Sequence, residues 1–389
     1  MAENKKEKEC NVPNLRFPEF SREWHNHPLT DFMSFKNGMN PDVKRFGYGT
    51  KFISVMDILN NQFIYYDDIR ASVEVIDGDL ETYGVNYGDI LFQRSSETLE
   101  DVGQANVYLD SKPVVFGGFV IRGKSKGNYN PLFFRYLLAS PAVRKRIMTK
   151  GAGAQHFNIG QDGLSKVCVD IPCKQEQEKI AKLLSLLDER MATQSKIIED
   201  LKKLKSAISL NVLHSDAWEQ FKIKDIAKIG RGRVISSIEI SQQKNPTYPV
   251  YSSQTSNDGI MGYLDDYMFE GEYISWTTDG ANAGTVFYRN GKFNCTNVCG
   301  LLKLRKEFDT HFVSLVLAEA TKKYVSINLA NPKLMNNTMG NIQIRLPKLE
   351  EQKRVSIVFR ELQGLWVVYN SLLTNYTKQK QYLLSQMFI

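Results

Sequence analysis

The feature that most constrains this 389-residue chain is a run, residues 174–213, that contains neither glycine nor proline. At 1.5 Å per residue a helix over this run would be about 60 Å long, whereas an average globular helix has only about 11–12 residues. Apolar residues recur in the run at steps of three and four, with two polar interruptions. The series is Ile180, Leu184, Leu187, Met191, Gln194, Ile198, Leu201, Lys205, Ile208 and Val212. This spacing is typical of a coiled-coil seam and predicts a long helix over residues 174–214 that requires a helical partner.

A second seam of the same kind occupies residues 348–389. Its positions are Val355, Phe359, Leu362, Trp366, Tyr369, Leu373, Tyr376, Lys380, Leu383 and Met387. Each helix could pack only on its own globular segment, but two amphipathic helices of matching length favour pairing with each other. Because a globular segment separates them, the sequence predicts an antiparallel coiled coil with a domain at each end.

Each seam carries a lysine at the matching position, Lys205 in the first and Lys380 in the second. A polar residue at a core position of a coiled coil can fix the register of the helices at some cost in stability. We therefore expect the two lysines to specify the antiparallel alignment. The alternative is that both side chains extend to solvent along the edge of the rod.

The globular segments before the two helices also begin and end alike, and we interpret the chain as a duplicated unit. Trp24 precedes Asp31 by the same interval as Trp218 precedes Asp225, and Gly38 and Gly232 follow in turn. Short strands rich in Val, Ile, Tyr and Phe, such as 114–121, alternate with turn residues, and helices are predicted at 131–138 and 312–323. The predicted fold class is α+β, with two mixed α/β recognition domains, each followed by a long helix. The boundaries are 1–20 for a tail and lead-in, 21–173 and 215–347 for the domains, and 174–214 and 348–389 for the helices.

Composition and charge narrow the class of protein. A net charge of +7 and a pI near 8.9 suit a nucleic-acid partner, although many soluble proteins are equally basic. The five cysteines, Cys10, Cys168, Cys173, Cys295 and Cys299, contain no Cys-x-x-Cys pair. They indicate reduced thiols, and no metal site is expected. Residues 1–10 are polar, and no apolar run is long enough for a membrane span, so a cytoplasmic protein that does not bind membranes is expected.

Residues 111–161 contain nine basic residues and no acidic one. They are Lys112, Arg122, Lys124, Lys126, Arg135, Arg144, Lys145, Arg146 and Lys150. Positive charge neutralises DNA phosphates and makes the binding affinity depend on salt concentration. We predict that Lys124 and Lys126 of this stretch contact DNA. The alternative interpretation is an ordinary solvated basic face.

Base reading requires forked donors and acceptors, with Arg suited to guanine and Asn or Gln to adenine. Candidates in the first half are Lys44, Arg45, Arg94, Ser95, Gln155, His156 and Asn158. Candidates in the second half are Arg231, Arg233, Gln254, Thr277, Thr278, Asp279, Asn282, Lys333 and Asn336. The glycines of the loop 277–284 would let its backbone approach a phosphate closely. Each candidate could instead be an ordinary turn or surface residue.

Motifs for catalysis are weak. Glu351 and Lys353 have the Glu-x-Lys spacing of nucleases but open a helix, where Glu favours the helix dipole. The sequence Asn-Pro-Thr-Tyr at 245–248 differs at its third residue from the Asn-Pro-Pro-Tyr motif of amino-methyltransferases. The Gly-x-x-x-x-Gly-Lys-Ser/Thr loop that binds the phosphates of ATP does not occur in the sequence. The chain is therefore not expected to be an enzyme or to bind a cofactor.

The order of motifs resembles the specificity (S) subunit of type I restriction–modification systems over nearly the whole chain. It consists of a Val-Pro-Asn-Leu-Arg-Phe-Pro-Glu-Phe lead-in, Trp24, a variable segment, Ile-Pro with Glu-Gln at 171–177, and a long helix. All but the lead-in then recurs, with Leu-Pro and Glu-Gln at 346–352.

The resemblance implies that each domain recognises one half of a split double-stranded DNA target and that the helices act as a ruler. A rod of about 50–60 Å exceeds one DNA turn of about 34–36 Å. Two methyltransferase (M) subunits, and restriction/translocase (R) subunits bound through them, would be the partners. S-adenosylmethionine, ATP and Mg²⁺ would belong to those subunits. The alternative is a coiled-coil scaffold without sequence-specific DNA binding, and a third option is a free-standing restriction or modification enzyme.

Overall fold

The computed structural model describes residues 11–213, 215–326 and 331–389, which form two compact units. One unit combines the chain up to Ser195 with Ser371–Ile389, and the other is Lys196–Asn370. The predicted tail at 1–10, residue 214 of the first predicted helix and residues 327–330 lie outside the described residues. The domain boundaries 21–173 and 215–347 stay predictions.

The first unit is built from a four-stranded sheet, a three-stranded sheet and two short strand pairs. Its strands are β1 His25–Pro28, β2 Met33–Asn37, β3 Phe46–Ile53, β4 Ser72–Val73, β5 Ile90–Gln93, β6 Ser95–Ser96, β7 Ala105–Val107, β8 Val115–Phe116, β9 Val120–Ser125, β10 Phe157–Asn158 and β11 Cys168–Ile171. Its helices are α1 Val55–Asn60, α2 Asp79–Tyr83, α3 Pro131–Ala139, α4 Pro141–Met148, α5 Gln161–Ser165 and the start of α6 Lys174–Val212. The main sheet has the order β2-β9-β5-β7, and the smaller sheet has the order β4-β3-β8.

The second unit has a related architecture. Its strands are β12 Glu219–Lys222, β13 Ala227–Arg231, β14 Tyr248–Tyr251, β15 Ile260–Leu264, β16 Phe269–Glu270, β17 Tyr273–Thr277, β18 Val286–Arg289, β19 Lys292–Cys295, β20 Cys299–Leu304 and β21 Gln343–Leu346. Its helices are α7 Ile223–Ile226, α8 Ser237–Ser241, α9 Thr310–Ala320, α10 Asn336–Asn341 and the start of α11 Leu349–Gln386. The named strands form two four-stranded sheets, β13-β20-β17-β18 and β15-β14-β19-β16, and the pair β12–β21.

Equivalent strands of the two units occupy equivalent places. The order β13-β20-β17-β18 matches β2-β9-β5-β7, and a parallel pair, β3 with β8 or β14 with β19, lies in the second sheet of each unit. The closing pair β1–β11 likewise corresponds to β12–β21. The predicted duplication and the α+β class are therefore confirmed.

One predicted strand is wrong. Residues 114–121 form two strands, β8 and β9, that belong to different sheets and are joined by a turn at residues 117–119. Two consecutive glycines allow the chain to leave one sheet and enter the other. A continuous apolar run cannot by itself reveal such a corner.

The matched glycines of the two halves mark a close backbone approach. A Cβ atom on Gly38 would lie 2.0 Å from the carbonyl oxygen of Gly117, and one on Gly232 would lie 1.8 Å from that of Cys295. Neither backbone position leaves room for a side chain, which explains why glycine stands at both.

The long helices pair in each unit. In the first unit Leu184 of α6 shares a core with Met387 and Phe388, which directly follow α11, and Lys380 Nζ donates to Asp188 Oδ1 at 2.6 Å. In the second unit Lys205 Nζ donates to Gln363 Oε1 at 3.2 Å, and residues 208 and 213 share a core with residue 359. Within each unit, positions rise along α6 as they fall along α11, so the predicted antiparallel pairing is confirmed. Every position of the second predicted seam is buried or half-buried, and in the first seam only Lys205 is exposed.

The duplicated Glu-Gln motif has a packing role at the start of each long helix. Gln177 accepts a hydrogen bond from Asn130 N–H at 3.0 Å and donates to the carbonyl oxygen of Pro172 at 3.1 Å. Gln352 does the same with Asp309 N–H at 2.9 Å and the carbonyl oxygen of Pro347 at 2.8 Å. Each glutamine thereby joins its long helix to the helix that follows the main sheet.

Replacing Gln352 with leucine should destabilise the protein by about 2 kcal/mol or more, because it leaves a buried N–H and a buried C=O unpaired. The midpoint of urea unfolding, followed by circular dichroism, measures this loss. The matched control is Glu351→Gln, whose side chain is exposed and whose replacement should change stability by less than about 0.5 kcal/mol. Equal midpoints for the two variants would contradict the packing role.

None of the helices in the described part of the chain is both long and apolar enough to span a membrane.

Candidate nucleic-acid interface

Four of the first-half candidates meet around the two-stranded ribbon β6–β10. Ser95 stands opposite Asn158 in the ribbon, and His156 precedes β10. The carbonyl oxygen of Arg94 accepts a hydrogen bond from Ile159 N–H at 2.9 Å, directly after β10. The structure therefore assembles Arg94, Ser95, His156 and Asn158 in one place, with Gln155 beside them.

The second unit contains the same backbone arrangement with different side chains. Asp279 bridges Lys333 in antiparallel fashion, and the carbonyl oxygen of Thr278 accepts a hydrogen bond from Leu334 N–H at 2.9 Å. Asn331 Nδ2 donates to Asp279 Oδ1 at 2.6 Å. Asp279 and Lys333 thus occupy the places that Ser95 and Asn158 have in the first unit.

The remaining second-half candidates form hydrogen bonds or ion pairs of their own, or lie beside residues that do. Arg231 Nε donates to Asn336 Oδ1 at 2.9 Å, three residues beyond Lys333. Asn282 is exposed, and its Nδ2 donates to the carbonyl oxygen of Ser253 at 3.4 Å, next to Gln254. Arg233 is exposed and forms an ion pair with Glu239.

Two threonines do not have the surface position that the sequence interpretation assumed. Thr277 and Thr278 are each only 1% exposed. Thr278 Oγ1 donates to the carbonyl oxygen of Val298 at 3.0 Å. Their side chains lie inside the domain because the strand β17 is covered on both faces, so this segment can offer only its backbone to a ligand.

The basic stretch 111–161 divides into buried or paired arginines and exposed lysines. Arg122 is 5% exposed, its guanidinium donates to the carbonyl oxygen of Gly84, and burial lowers its pKa. Arg135 donates to Asn106 Oδ1 at 3.1 Å, Arg144 donates to the Val102 carbonyl at 2.7 Å, and Arg146 donates to Asp170 Oδ2 at 2.8 Å. The exposed members are Lys112, Lys124, Lys126, Lys145 and Lys150. Arg122 is therefore too buried to neutralise a phosphate as the sequence suggested. Lys112 forms an ion pair with Asp67 at 3.6 Å, and the other exposed lysines carry the charge that faces solvent.

Lys44 and Arg45 lie on a separate segment. Arg45 donates to the carbonyl oxygen of Glu74 at 2.9 Å through Nε and forms an ion pair with Asp79, while Lys44 is exposed. No hydrogen bond within the described residues joins this pair to the ribbon β6–β10.

Comparison with known proteins decides the family. The model of the family described as type I restriction modification DNA specificity domain matches twice, over residues 21–203 and 215–363. Together the two matches cover most of the chain. The chain belongs to the type I restriction–modification DNA specificity family. As a specificity subunit it is the non-catalytic component of such a system.

Relatives agree with this specificity-family assignment, and two solved structures share the fold. A Mycoplasma pneumoniae protein named "Putative type I specificity subunit" is 38% identical over 204 residues, which is 50% of this chain and 82% of that protein. The type I restriction enzyme MpnII specificity subunit of the same organism is 45% identical over 141 residues, or 36% of this chain and 42% of that one. A crystal structure of a type I S subunit from M. genitalium has a TM-score of 0.67 at 16% identity and covers 97% of this chain and 99% of its own. A structure from work on complex assembly and conformational transition of the type I R-M system has a TM-score of 0.56 at 12% identity and covers 93% of this chain and 96% of its own.

The sequence interpretation missed the residue that holds the helix pair of this specificity subunit to its first domain. Asp188 is 3% exposed, and besides Lys380 it accepts a hydrogen bond from the Tyr136 hydroxyl of α3 at 2.8 Å. Burial and the neighbouring carboxylate raise the pKa of Tyr136, so its hydroxyl keeps the proton it donates. An acidic residue next to the seam gave no signal by itself, because such residues usually face solvent.

The second unit contains a different polar group at the corresponding helix. His311 Nδ1 lies 2.8 Å from Ser356 Oγ, and the Ser356 hydroxyl donates to Asp309 Oδ1 at 2.8 Å. Since the serine proton goes to Asp309, Nδ1 of His311 must be the donor to Ser356. Burial, together with the Arg360 guanidinium, lowers the pKa of His311 to about 4.

We expect stability to fall as the pH is lowered from about 6.5 to 4, since the unfolded histidine takes up a proton there and the folded one does not. Above about pH 6.5 the histidine is neutral in both states and contributes no pH dependence. Urea unfolding at pH 7 and pH 5 should therefore show a smaller drop in midpoint for His311→Gln than for the unchanged protein. An identical drop in both would contradict the assignment.

The cysteines of the second unit belong to its core. Cys295 and Cys299 are buried, and burial raises the pKa of both thiols, in the case of Cys299 to about 11. Among the residues that the structure describes, no group of three His, Cys, Asp or Glu side chains is placed to hold a metal ion.

Proposed function

We propose that this chain recognises a split double-stranded DNA sequence, with one half-site read by each domain and the antiparallel helices setting the distance between them. The observation that carries the proposal is the duplicated backbone arrangement around Ser95–Asn158 and Asp279–Lys333. The backbone of the two sites is alike, but their side chains differ in charge and hydrogen-bonding capacity. Two similar readers with different side chains support an asymmetric target.

The predicted contacts divide by chemistry. Arg231 with Asn336, Asp279 with Lys333, and Ser95 with Asn158 present forked or paired polar groups suited to base edges. Lys124, Lys145 and Lys150 are exposed single charges suited to phosphates. The former group would determine sequence, and the latter would determine affinity and its dependence on salt.

The proposal includes partners that supply the chemistry. Two M subunits would dock on this chain, and R subunits would join through them. Support comes from the structural neighbour studied for complex assembly of a type I system. S-adenosylmethionine, ATP and Mg²⁺ would be bound by those subunits, which would flip the target adenine out of the duplex. We place the assembly in the cytoplasm, together with the DNA that it would recognise.

The test is a titration of duplex DNA at several salt concentrations, with the chain assembled with its M partners. Mapping methylated adenines in the source genome supplies the target, and a duplex with scrambled half-sites is the control. We expect tight binding to the target that weakens with salt. Arg231→Ala should raise Kd for the target by about 5- to 140-fold and relax discrimination at one base. Lys150→Ala should weaken target and scrambled duplex alike and lower the salt slope by about one unit.

Binding that ignores both salt and sequence would contradict the proposal. If such a chain still assembled with M subunits, the result would favour a protein scaffold without DNA recognition. Methylation or cleavage by the purified chain alone would favour a free-standing enzyme.

A further inference from the structure

The turn that joins β8 to β9 presents an aromatic ring to solvent. Phe119 is 69% exposed, although single exposed apolar residues are common on protein surfaces. This ring is not isolated, because Phe46 and Met56, which are 40% and 60% exposed, line the same cleft. A cluster of exposed apolar side chains around one cleft indicates a surface that is covered in the working complex.

The turn is held rigidly on both sides of the ring. Arg94 N–H donates to the carbonyl oxygen of Phe119 at 2.9 Å, and Val120 N–H donates to that of Gly117 at 2.9 Å. Gly118 packs so closely that a Cβ atom there would lie 1.9 Å from Asn40 Oδ1. The backbone that carries the ring is therefore fixed before any ligand arrives, which lowers the entropic cost of using this turn for binding.

The turn is also joined to the candidate base readers of the first domain. The Arg94 guanidinium donates through Nη1 to the carbonyl oxygen of Gly118 at 3.3 Å. The carbonyl of the same Arg94 accepts the hydrogen bond from Ile159 N–H that follows Asn158. One residue thus connects the exposed ring to the ribbon β6–β10.

The chemistry of the cleft beside the ring favours a flat, uncharged ligand. The cleft has a volume of about 380 Å³, and its lining contains no charged side chain. Positive charge lies beside the lining on Arg94, whose guanidinium donates to the carbonyl oxygen of the lining residue Gly118. The exposed Lys44 stands two residues before the lining residue Phe46 in the sequence. DNA combines these properties, since its bases are neutral aromatic planes and its phosphates are anionic.

The second domain differs at the same turn. There the equivalent backbone bond runs from Thr278 N–H to the carbonyl oxygen of Val298 at 3.0 Å, so Val298 stands where Phe119 does. Val298 is half-buried, and its side chain cannot stack on a base. The two domains therefore differ in shape at this turn as well as in polar side chains.

We propose that Phe119 stacks on an unstacked base of the half-site that the first domain reads, an inference that rests on the proposed function. Phenylalanine is one of the apolar side chains that proteins insert between or beside bases. The sequence preference of such a contact comes from how easily the two neighbouring base pairs of the duplex unstack. Phe119 would then be a specificity-determining residue of the first domain through DNA deformability.

The experiment uses the full chain assembled with its M partners and duplexes of the mapped target. 2-Aminopurine, whose fluorescence rises when it leaves the base stack, replaces one base at a time in both half-sites. Emission and Kd are measured for the unchanged chain, Phe119→Ala, Phe119→Trp and the matched control Val298→Ala. We expect a 2-aminopurine at a methylated adenine to brighten in every variant, because the M subunits would flip it. One further position, in the half-site of the first domain only, should brighten in the unchanged chain. Phe119→Ala should abolish this further signal and raise Kd by roughly 5- to 140-fold. Phe119→Trp should keep the affinity and quench the signal by contact, while Val298→Ala should change neither.

Unchanged emission and affinity in Phe119→Ala would overturn the stacking role. If Phe119→Ala keeps its affinity for DNA but no longer retains the M subunits, the stacking role is also overturned. The cleft would then be assigned to a protein partner. Failure of the proposed function has a separate signature, because the unchanged chain would then bind target and scrambled duplexes equally.

Discussion

Shortening the two paired helices by one heptad should shift the preferred spacer between the half-sites by about 3 base pairs. The pairing of Lys205 with Gln363 places residues 201–207 of α6 against residues 361–367 of α11. Removing both segments takes about 10 Å from the helix pair, at 1.5 Å per residue. One base pair of DNA occupies about 3.4 Å, so the new optimum should be about 3 base pairs shorter.

The deletion preserves the face of each helix, because seven residues nearly complete two turns of 3.6 residues. Three base pairs, however, rotate a half-site by roughly a third of a DNA turn of about 10–10.5 base pairs. The variant should therefore bind its new optimum more weakly than the unchanged chain binds the original target. The readout is the position of the optimum in a library of duplexes with varied spacers.

The matched control duplicates both heptads and should move the optimum by the same amount in the opposite direction. Lys205→Leu, which keeps the length, should leave the optimum unchanged. A spacer preference that is the same in the deleted, duplicated and unchanged chains would rule out a ruler.

Replacing Lys380 with leucine should cost about 3 kcal/mol of stability, whereas the same replacement of Lys205 should cost little. Lys380 neutralises Asp188, which is buried between the helix pair and α3. Removing one partner of a buried ion pair leaves an uncompensated charge in a medium that solvates it poorly. Lys205 is exposed, and its partner Gln363 is neutral. The measurement is the urea midpoint of each variant.

A double replacement separates the charge from the packing. Replacing both Lys380 and Asp188 with leucine should recover much of the stability, since apolar residues of similar volume often substitute for a buried pair. Tyr136 then loses its acceptor, so recovery should be larger in the background of Tyr136→Phe. Equal urea midpoints for Lys380→Leu and Lys205→Leu would contradict a stabilising ion pair between Lys380 and Asp188.

The two lysines show what periodicity can predict and where it stops. The spacing of apolar residues predicted both long helices, because a seam depends mainly on local sequence. Their antiparallel pairing was predicted from the globular segment that lies between them. The same spacing assigned Lys205 and Lys380 equal roles. They differ because Asp188 and Tyr136 surround only one of them, and that environment depends on the packing of α3, which no local pattern encodes.

The candidate interface shows a similar division. The polar chemistry of individual residues identified two pairs that the structure brings into contact. They are Arg231 with Asn336 and Asp279 with Lys333. Thr277 and Thr278 share the polar character of these residues but lie inside, because the strand before them is covered on both faces. The exposure of Phe119 could not be predicted either, since the run 114–121 resembles a buried strand until the corner at its glycines is known.

The contribution of residues 371–389 to the first unit has a consequence for biosynthesis. Met387 and Phe388 are buried in the core that contains Trp24, and the ring of Phe388 lies 5.6 Å from that of Phe133. Domains of a growing chain usually complete their folding in the order in which they leave the ribosome. Here residues 371–389 emerge only after the entire second unit, a delay of roughly 10–35 s at 5–20 residues per second. The unit that is synthesised first is therefore the one whose core closes last.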